Sequence, residues 1–415
     1  MNININKKNI FLIAVWLVSI GYFFSYRIAS WTVILLMTAS LFNLKKKLKT
    51  HLFSYKKLIP PILFFITLII GLTYTENLDR GLKIVERFIS FLLIPLIFMF
   101  TKPLDEKERE KIELGYIYSV SAFYVICFLT AVYRQILFNL SHKKGINWYY
   151  FYRYDFLEVF NQHPTYVAMF ALLSLSLLLF KFDSYFKNAF SYYLLIFIHV
   201  FGIVLTGSRM GYIVLFALGL LYLHKAYKNH KKILPTLISL LLIIVLSLNI
   251  PIVKERFLFT FAAKYNYRYN SNSAVKKGNP EKQGRLTIWT DALELIQKRP
   301  WIGWGTGSDN DVLQQIYKEK NQKFLIEKGY NAHNSYLQWW LSGGILLLLA
   351  YLLFLGTILT VGLQQKDYVL LMFFLIISMV SLTETFYRVQ GIIFIVFFYS
   401  YFITKYYLKP KYTTH

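Results

Sequence analysis

Three basic side chains stand where this chain has least reason to keep them. Arg209 follows Thr206-Gly207-Ser208 in a short break between apolar runs, and Arg285 lies in Gly284-Arg285-Leu286-Thr287-Ile288-Trp289. His333 lies in Asn331-Ala332-His333-Asn334-Ser335-Tyr336. A guanidinium offers a planar fork of donors that holds phosphate oxygens bidentately, without a divalent metal. A neutral imidazole, with an ordinary pKa of about 6.5, is suited to take a proton from a hydroxyl. Each residue also has a plainer account. Arg285 could be a solvated loop residue or a lipid-headgroup contact, Arg209 a snorkelling arginine, and His333 a structural histidine. Two features favour chemistry: Arg285 opens an amphipathic helix, whose N-terminus attracts anions, and Arg209 falls on the side that the charge pattern makes external.

Other candidates sit on the same side. Arg80, Lys83 and Arg87 flank the start of an apolar span, as headgroup anchors or as a further part of a diphosphate site. Asn161-Gln162-His163-Pro164-Thr165-Tyr166 follows an aromatic loop with Trp148, Tyr149, Tyr150, Tyr152 and Tyr154. That group is either an interfacial aromatic belt with Pro at a helix start or a platform on which sugar rings stack, with His163 and Tyr166 in it. Trp289 and Asn334 join the candidate substrate contacts, while Glu384 and Arg388 cap the last outer loop and could simply pair. Gly303-x-Gly305-x-Gly307 suggests nucleotide binding but has no preceding strand and no βαβ unit, so it reads as a flexible turn. No second histidine or carboxylate lies at metal-ligand spacing from His333, so neither a metal site nor a cofactor is expected.

These residues need elements to position them. Of 415 residues, 56% are hydrophobic and 16% charged, a balance that no soluble core could use and that points to a bilayer. Lys and Arg total 46 against 21 acids, a net charge of +25, but the lysines cluster in short segments between apolar runs. That is the positive-inside bias of cytoplasmic loops rather than a nucleic-acid surface. The expected spans are 10–25, 30–43, 58–74, 84–100, 113–133, 165–181, 190–206, 210–224, 233–250, 341–363, 368–384 and 391–406, about twelve helices in an all-α polytopic protein. Both termini then lie inside, and a large polar insert lies outside between spans nine and ten. The division is 1–250 for nine spans, 251–340 for the external, mainly helical subdomain, and 341–415 for the last three spans and tail. An uncleaved first helix is expected, since no small-x-small site ends it. Cys127 is the single cysteine, which excludes intrachain disulfides. Within the insert, Leu286, Trp289, Leu293 and Ile296 recur at helical spacing and should face the membrane domain. Arg299-Pro300 should stop that helix, with a second helix around Asp311 to Ile326.

The ordered set Gly207-Ser208-Arg209, Arg285-x3-Trp289-x2-Ala292, Pro300-x2-Gly303-x-Gly305-x-Gly307, His333-Asn334 and Gly344 resembles the O-antigen ligase/polymerase superfamily. The motifs cover mainly 204–347, and the topology covers nearly the whole chain. One departure is Leu347, where members often carry Gly, Thr or Tyr three residues after the glycine matched by Gly344. The resemblance implies a GT-C-like, twelve-span glycosyltransferase of the bacterial inner membrane, with its site on the periplasmic face. It implies undecaprenyl-diphosphate-linked glycan as donor and the lipid A–core or another glycan as acceptor, with the bilayer as setting and no nucleic acid. Arg209 and Arg285 would hold the diphosphate and His333 would serve as base in an inverting transfer. Polymerases and protein O-oligosaccharyltransferases of the same superfamily are the alternatives. A lipid-linked glycan transporter is the competing class, although transporters usually place their charges at the midplane of broken helices.

Overall fold

The computed structural model describes residues 7–44, 52–141, 145–182, 185, 188–226 and 284–407. Within them the chain is helical, with one isolated bridge between Leu44 and Thr101. The helices before the insert are α1 (Lys7–Gly21), α2 (Tyr26–Ser40), α3 (Ile59–Ile70), α4 (Leu78–Phe88), α5 (Ser90–Phe100), α6 (Glu106–Ser141), the single turn α7 (Arg153–Phe156), α8 (Pro164–Phe180), α9 (Ala189–Leu205) and α10 (Arg209–Ala226). The described part of the insert holds α11 (Arg285–Lys298), α12 (Asp309–Glu319) and α13 (Lys323–Lys328), and α14 (Ser335–Gln365), α15 (Tyr368–Ser381) and α16 (Val389–Tyr407) follow. The expected span 233–250 and the basic stretch 254–282 lie outside the described residues.

Among the described residues, Tyr55–Tyr74, Glu106–Ser141, Ser335–Gln365 and Val389–Tyr406 are long and apolar enough to cross a membrane. Lys8–Gly21, Pro164–Phe180, Ala189–Leu205 and Tyr368–Ser381 are shorter apolar helices. Trp31, Leu129, Phe190, Phe216 and Leu346 point outward and exposed, as suits helices solvated by lipid. The expected span 84–100 is two helices instead, α4 and α5, meeting at Ile89; α4 is amphipathic and α5 is apolar.

Side-chain pairs at the helix ends fix the alternation of direction. At one end, Lys8 meets Glu108, Lys181 bonds Glu113 at 2.6 Å, and Lys405 reaches Asp367 at 3.3 Å. These contacts gather the starts of α1, α6 and α15 with the ends of α8 and α16. At the other end, Gln162 donates to Phe24 O at 2.9 Å, Thr306 Oγ1 to Leu68 O at 2.8 Å and Ser335 Oγ to Glu384 O at 2.8 Å. Helix α8 runs through the middle, apolar and buried on nearly every face, as a helix packed by α6, α9, α10 and α15 must be.

The glycine run is not a flexible turn, because its backbone is bonded to two membrane helices. Helix α14 breaks at Gly343–Gly344, where Gly344 has φ +64 and ψ −161. Residues 300–305 dock into that break. Trp304 N donates to Leu341 O at 2.9 Å, Gly305 N to Ser342 O at 2.8 Å, and Ile345 N to Pro300 O at 3.0 Å. The run thus satisfies backbone groups that a kink leaves without helical partners. On the other side, Thr306 N donates to Gly71 O at 3.0 Å, capping the end of α3. Ser308 Oγ accepts from the backbone N–H groups of Glu76 and Asn77.

Two further expectations shift. The buried face of α11 is Ile288, Asp291, Ala292, Leu295 and Ile296, while Leu286 and Leu293 are exposed. That face meets α12 and α14 in a small second core with Val312, Leu313, Ile316 and Tyr317. The helix expected around Asp311 to Ile326 is two, α12 and α13, separated by Asn321, which has φ +54. Helix α11 ends at Lys298, before Pro300, because the residue preceding a proline is pushed out of the helical region.

Candidate functional site

The turn Asn331–Asn334 presents His333 at the start of α14. Asn334 caps the helix, accepting from Tyr336 N at 2.9 Å and Leu337 N at 3.2 Å. Asn331 Oδ1 accepts from His333 N at 2.9 Å, and Trp289 Nε1 donates to Ala332 O at 3.1 Å. His333 itself has φ +44, a left-handed conformation that a bulky L-residue adopts only when its surroundings hold it there. Tyr330 packs edge-on against the imidazole, ring centroids 5.0 Å apart at 77°. Trp289 is therefore a strut for the His333 turn.

Arg285 and Trp289 lie one turn apart on α11, so the contact that fixes Trp289 against the turn also brings Arg285 beside it. Arg285 keeps access to solvent, yet the surrounding protein desolvates it and lowers its pKa, with Glu384 opposing and Arg209 reinforcing that shift. Arg209 is the first residue of α10, exposed, after the turn at Gly207 (φ +62) on which Tyr152 and Arg153 pack. Two long helices thus each open with an arginine directed at one region, and helix N-termini add partial positive charge there.

His333 is desolvated and lies in the field of Arg285, which together lower its pKa from 6.5 to about 4. His163, at the N-cap position of α8, is pushed lower, to about 3, by burial and then by Arg388, Arg153 and His333. Its Nδ1 is buried without a hydrogen-bond partner. Both imidazoles are neutral at ordinary pH. Burial raises the Glu384 carboxyl, opposed by Arg285, a hydrogen bond from Thr165 and Arg388. Among the described residues no ion pair within 4 Å joins Glu384 to Arg285 or to Arg388, so the loop between α15 and α16 is not closed by a simple Glu384–Arg388 pair. Among the described residues the groups that influence His163, Arg285 and Glu384 include four guanidiniums, Arg153, Arg209, Arg285 and Arg388, and the Glu384 carboxyl. Such a surplus of cations suits a multiply charged anion.

The remaining candidates divide. Tyr166 is 3% exposed and its hydroxyl reaches Thr385 O at 3.4 Å, so its face is occupied by packing. Arg80 pairs with Asp311 at 3.6 Å and lies near Tyr387. Lys83 and Arg87 line a separate groove of about 390 Å³ with Tyr26, Ser30, Val389 and Ile393. Asn334 serves as a cap. Arg153, absent from the sequence-based candidates, enters through a left-handed residue (φ +54) in the aromatic loop; an arginine amid the tyrosines was its only signal. Among the described residues no group of three or more His, Cys, Asp or Glu side chains could hold a metal ion.

The arrangement sets Arg285 in the field of Arg209 and an unprotonated imidazole in the field of Arg285, which suits a multiply charged anion beside a base. Comparison with known proteins falls on the same part of the chain. Residues 193–352 match the family model described as O-antigen ligase, a segment that includes Arg209, Arg285, His333 and Gly344. An uncharacterized protein of Haemophilus influenzae is 24% identical over 324 residues, covering 76% of this chain and 74% of that relative. The arginines, the histidine and the α14 break all lie inside the matched segment, so it is this part of the chain that is similar to the O-antigen ligase family.

Proposed function

We propose that the protein is an inverting glycosyltransferase of the O-antigen ligase kind. It moves a glycan from undecaprenyl diphosphate to a hydroxyl of the lipid A–core at the periplasmic face of the inner membrane. The observation that carries this reading is the gathering of Arg209, Arg285 and neutral His333 at one end of the helices. The acceptor oxygen attacks the anomeric carbon as the bond from that carbon to the diphosphate oxygen breaks. The hydroxyl proton passes to His333, and undecaprenyl diphosphate leaves. Arg209 and Arg285 stabilise the charge that grows on the leaving diphosphate, the step in which fixed charges contribute most. Arg285 lowers the basicity of His333; a bound anion beside that arginine offsets the effect and raises the imidazole pKa when a base is needed. A site at the helix ends lets the polyprenyl tail remain in lipid while its head reaches the arginines.

Purified protein in liposomes, given lipid-linked glycan and lipid A–core, should form a new glycosidic bond. Offering a second lipid-linked repeat or a Ser/Thr peptide instead separates ligase from polymerase and from protein glycosylation. Movement of the lipid-linked glycan across the bilayer with no new bond would replace the reading with transport.

A further inference from the structure

Behind the His333 turn lies a buried polar triad. Gln338, one turn into α14 and fully buried, accepts from Ala332 N–H through Oε1 at 2.9 Å and donates through Nε2 to Asp309 Oδ2. The Tyr387 hydroxyl donates to the same Oδ2 at 2.6 Å. Asp309 is 0% exposed and opens α12, directly after the glycine run. One carboxylate therefore joins three elements: the docked run, the helix that presents His333, and the loop that carries Glu384 and Arg388.

The chemistry of the triad sets its direction. The Ala332 N–H can only donate, so the Gln338 amide turns its oxygen toward Ala332 and its NH₂ side toward Asp309. Trp289 holds the Ala332 carbonyl from the other side. With both polar groups of that residue clamped, the next residue is kept at a positive φ. We infer that Gln338, oriented by Asp309, is a positioning residue that holds the Asn331–His333 turn in its left-handed form and aims the imidazole at the acceptor hydroxyl. Tyr387 sets the Glu384–Arg388 loop against the same carboxylate. The inference rests on the glycosyl-transfer reading, in which His333 takes the proton.

Gln338→Met tests it with little change in volume, because methionine neither accepts from Ala332 N–H nor donates to Asp309. The charged and titratable groups around the position are Asp309 and Tyr387, with the Arg80–Asp311 pair beside them. In the liposome assay, Gln338→Met should lower kcat about 100-fold at neutral pH, as a misaimed base does. The KM for lipid-linked donor should not change, because the arginines are untouched. Gln338→Glu places a second carboxyl against Asp309, and the buried pair shares one proton, which repeats the donor and acceptor of the amide. That variant should keep most of kcat at neutral pH and lose it toward alkaline pH as the shared proton leaves, a limb the wild type lacks. A Gln338→Met protein with wild-type kcat, or a Gln338→Glu protein no better than Gln338→Met at neutral pH, overturns the inference. If Gln338→Met fails to fold, the pH profile of Gln338→Glu decides: an alkaline loss of kcat supports the inference and a profile equal to wild type overturns it. Wild-type turnover in the same assay carries the transfer reading, so these outcomes bear on Gln338 alone.

Discussion

Alanine at Gly344 should unseat the glycine run from α14, whereas alanine at Gly356 on the same helix should not. A Cβ on Gly344 would lie 2.2 Å from Trp301 O and 2.4 Å from its carbonyl carbon, both backbone atoms. Ordinary contact begins near about 3.5 Å, so residues 301 and 302 must retreat by roughly 1 Å. That retreat stretches the bonds from Trp304 N to Leu341 O, Gly305 N to Ser342 O and Ile345 N to Pro300 O. Each contributes about 1 kcal/mol net. Holding alanine at φ +64 and ψ −161 adds about 1–3 kcal/mol of backbone strain. The expected loss is on the order of 4 kcal/mol, together with displacement of Thr306 and Asp309 and hence of the site. At Gly356 a Cβ meets nothing within 4 Å, so the helical preference for alanine should stabilise by about 0.5–1 kcal/mol. Thermal unfolding in detergent, followed by tryptophan fluorescence, reads both signs. A Gly344→Ala protein that unfolds at the wild-type temperature would refute the docking of the run into the helix break.

Three other outcomes follow from the site. His333 (about 4) and His163 (about 3) both lie below the ordinary 6.5. The unfolded chain therefore binds more protons in that window, and stability is full above pH 6.5 and falls as pH drops from about 6.5 to about 3. His333→Asn and His163→Asn should each flatten the acid limb of a melting-temperature profile; an unchanged limb would contradict the burial of these rings. Trp289→Phe keeps an aromatic ring but removes the donor to Ala332 O, and should cost about 1 kcal/mol while lowering kcat more than donor affinity. Wild-type kcat in that variant would show that the strut is dispensable. Arg285→Lys keeps the charge but loses the fork, and should lower kcat/KM for the lipid-linked donor by about 100-fold. A lysine enzyme as fast as wild type would mean that Arg285 acts as a point charge.

Hydropathy alone located most of the helices, because a span needs only length and apolar side chains, as α8, α9 and α14 illustrate. It misjudged α11, a short helix with apolar residues on more than one side. Its phase is set by whichever neighbours arrive, here α12 and α14, so Leu286 and Leu293 face out and Ile288 and Leu295 face in. The glycine run looked mobile for a similar reason: its partners Gly71 and Ser342 lie far away in sequence, and local composition carries no trace of them. Arg209, Arg285 and His333 drew notice in the sequence because each breaks an expectation for its place in the chain, and the fold brings them within one another's field. Arg153 did not stand out, and Glu384 was legible only as a loop cap that could pair with Arg388, because folding alone sets them beside His163 and Arg285. Lys83 and Arg87 show the converse, sharing the expected side yet lining another groove.

In the proposed reaction two arginines and a neutral histidine transfer a lipid-linked glycan to a hydroxyl. Its most direct test is product formation by reconstituted wild type, Arg285→Ala and His333→Ala protein, with purified lipid-linked glycan and lipid A–core and with folding checked in each case. Wild type should form the glycosidic bond and release undecaprenyl diphosphate in equal amount, and each folded variant should be slower by about 100-fold or more. Undiminished transfer by either folded variant would contradict the claim.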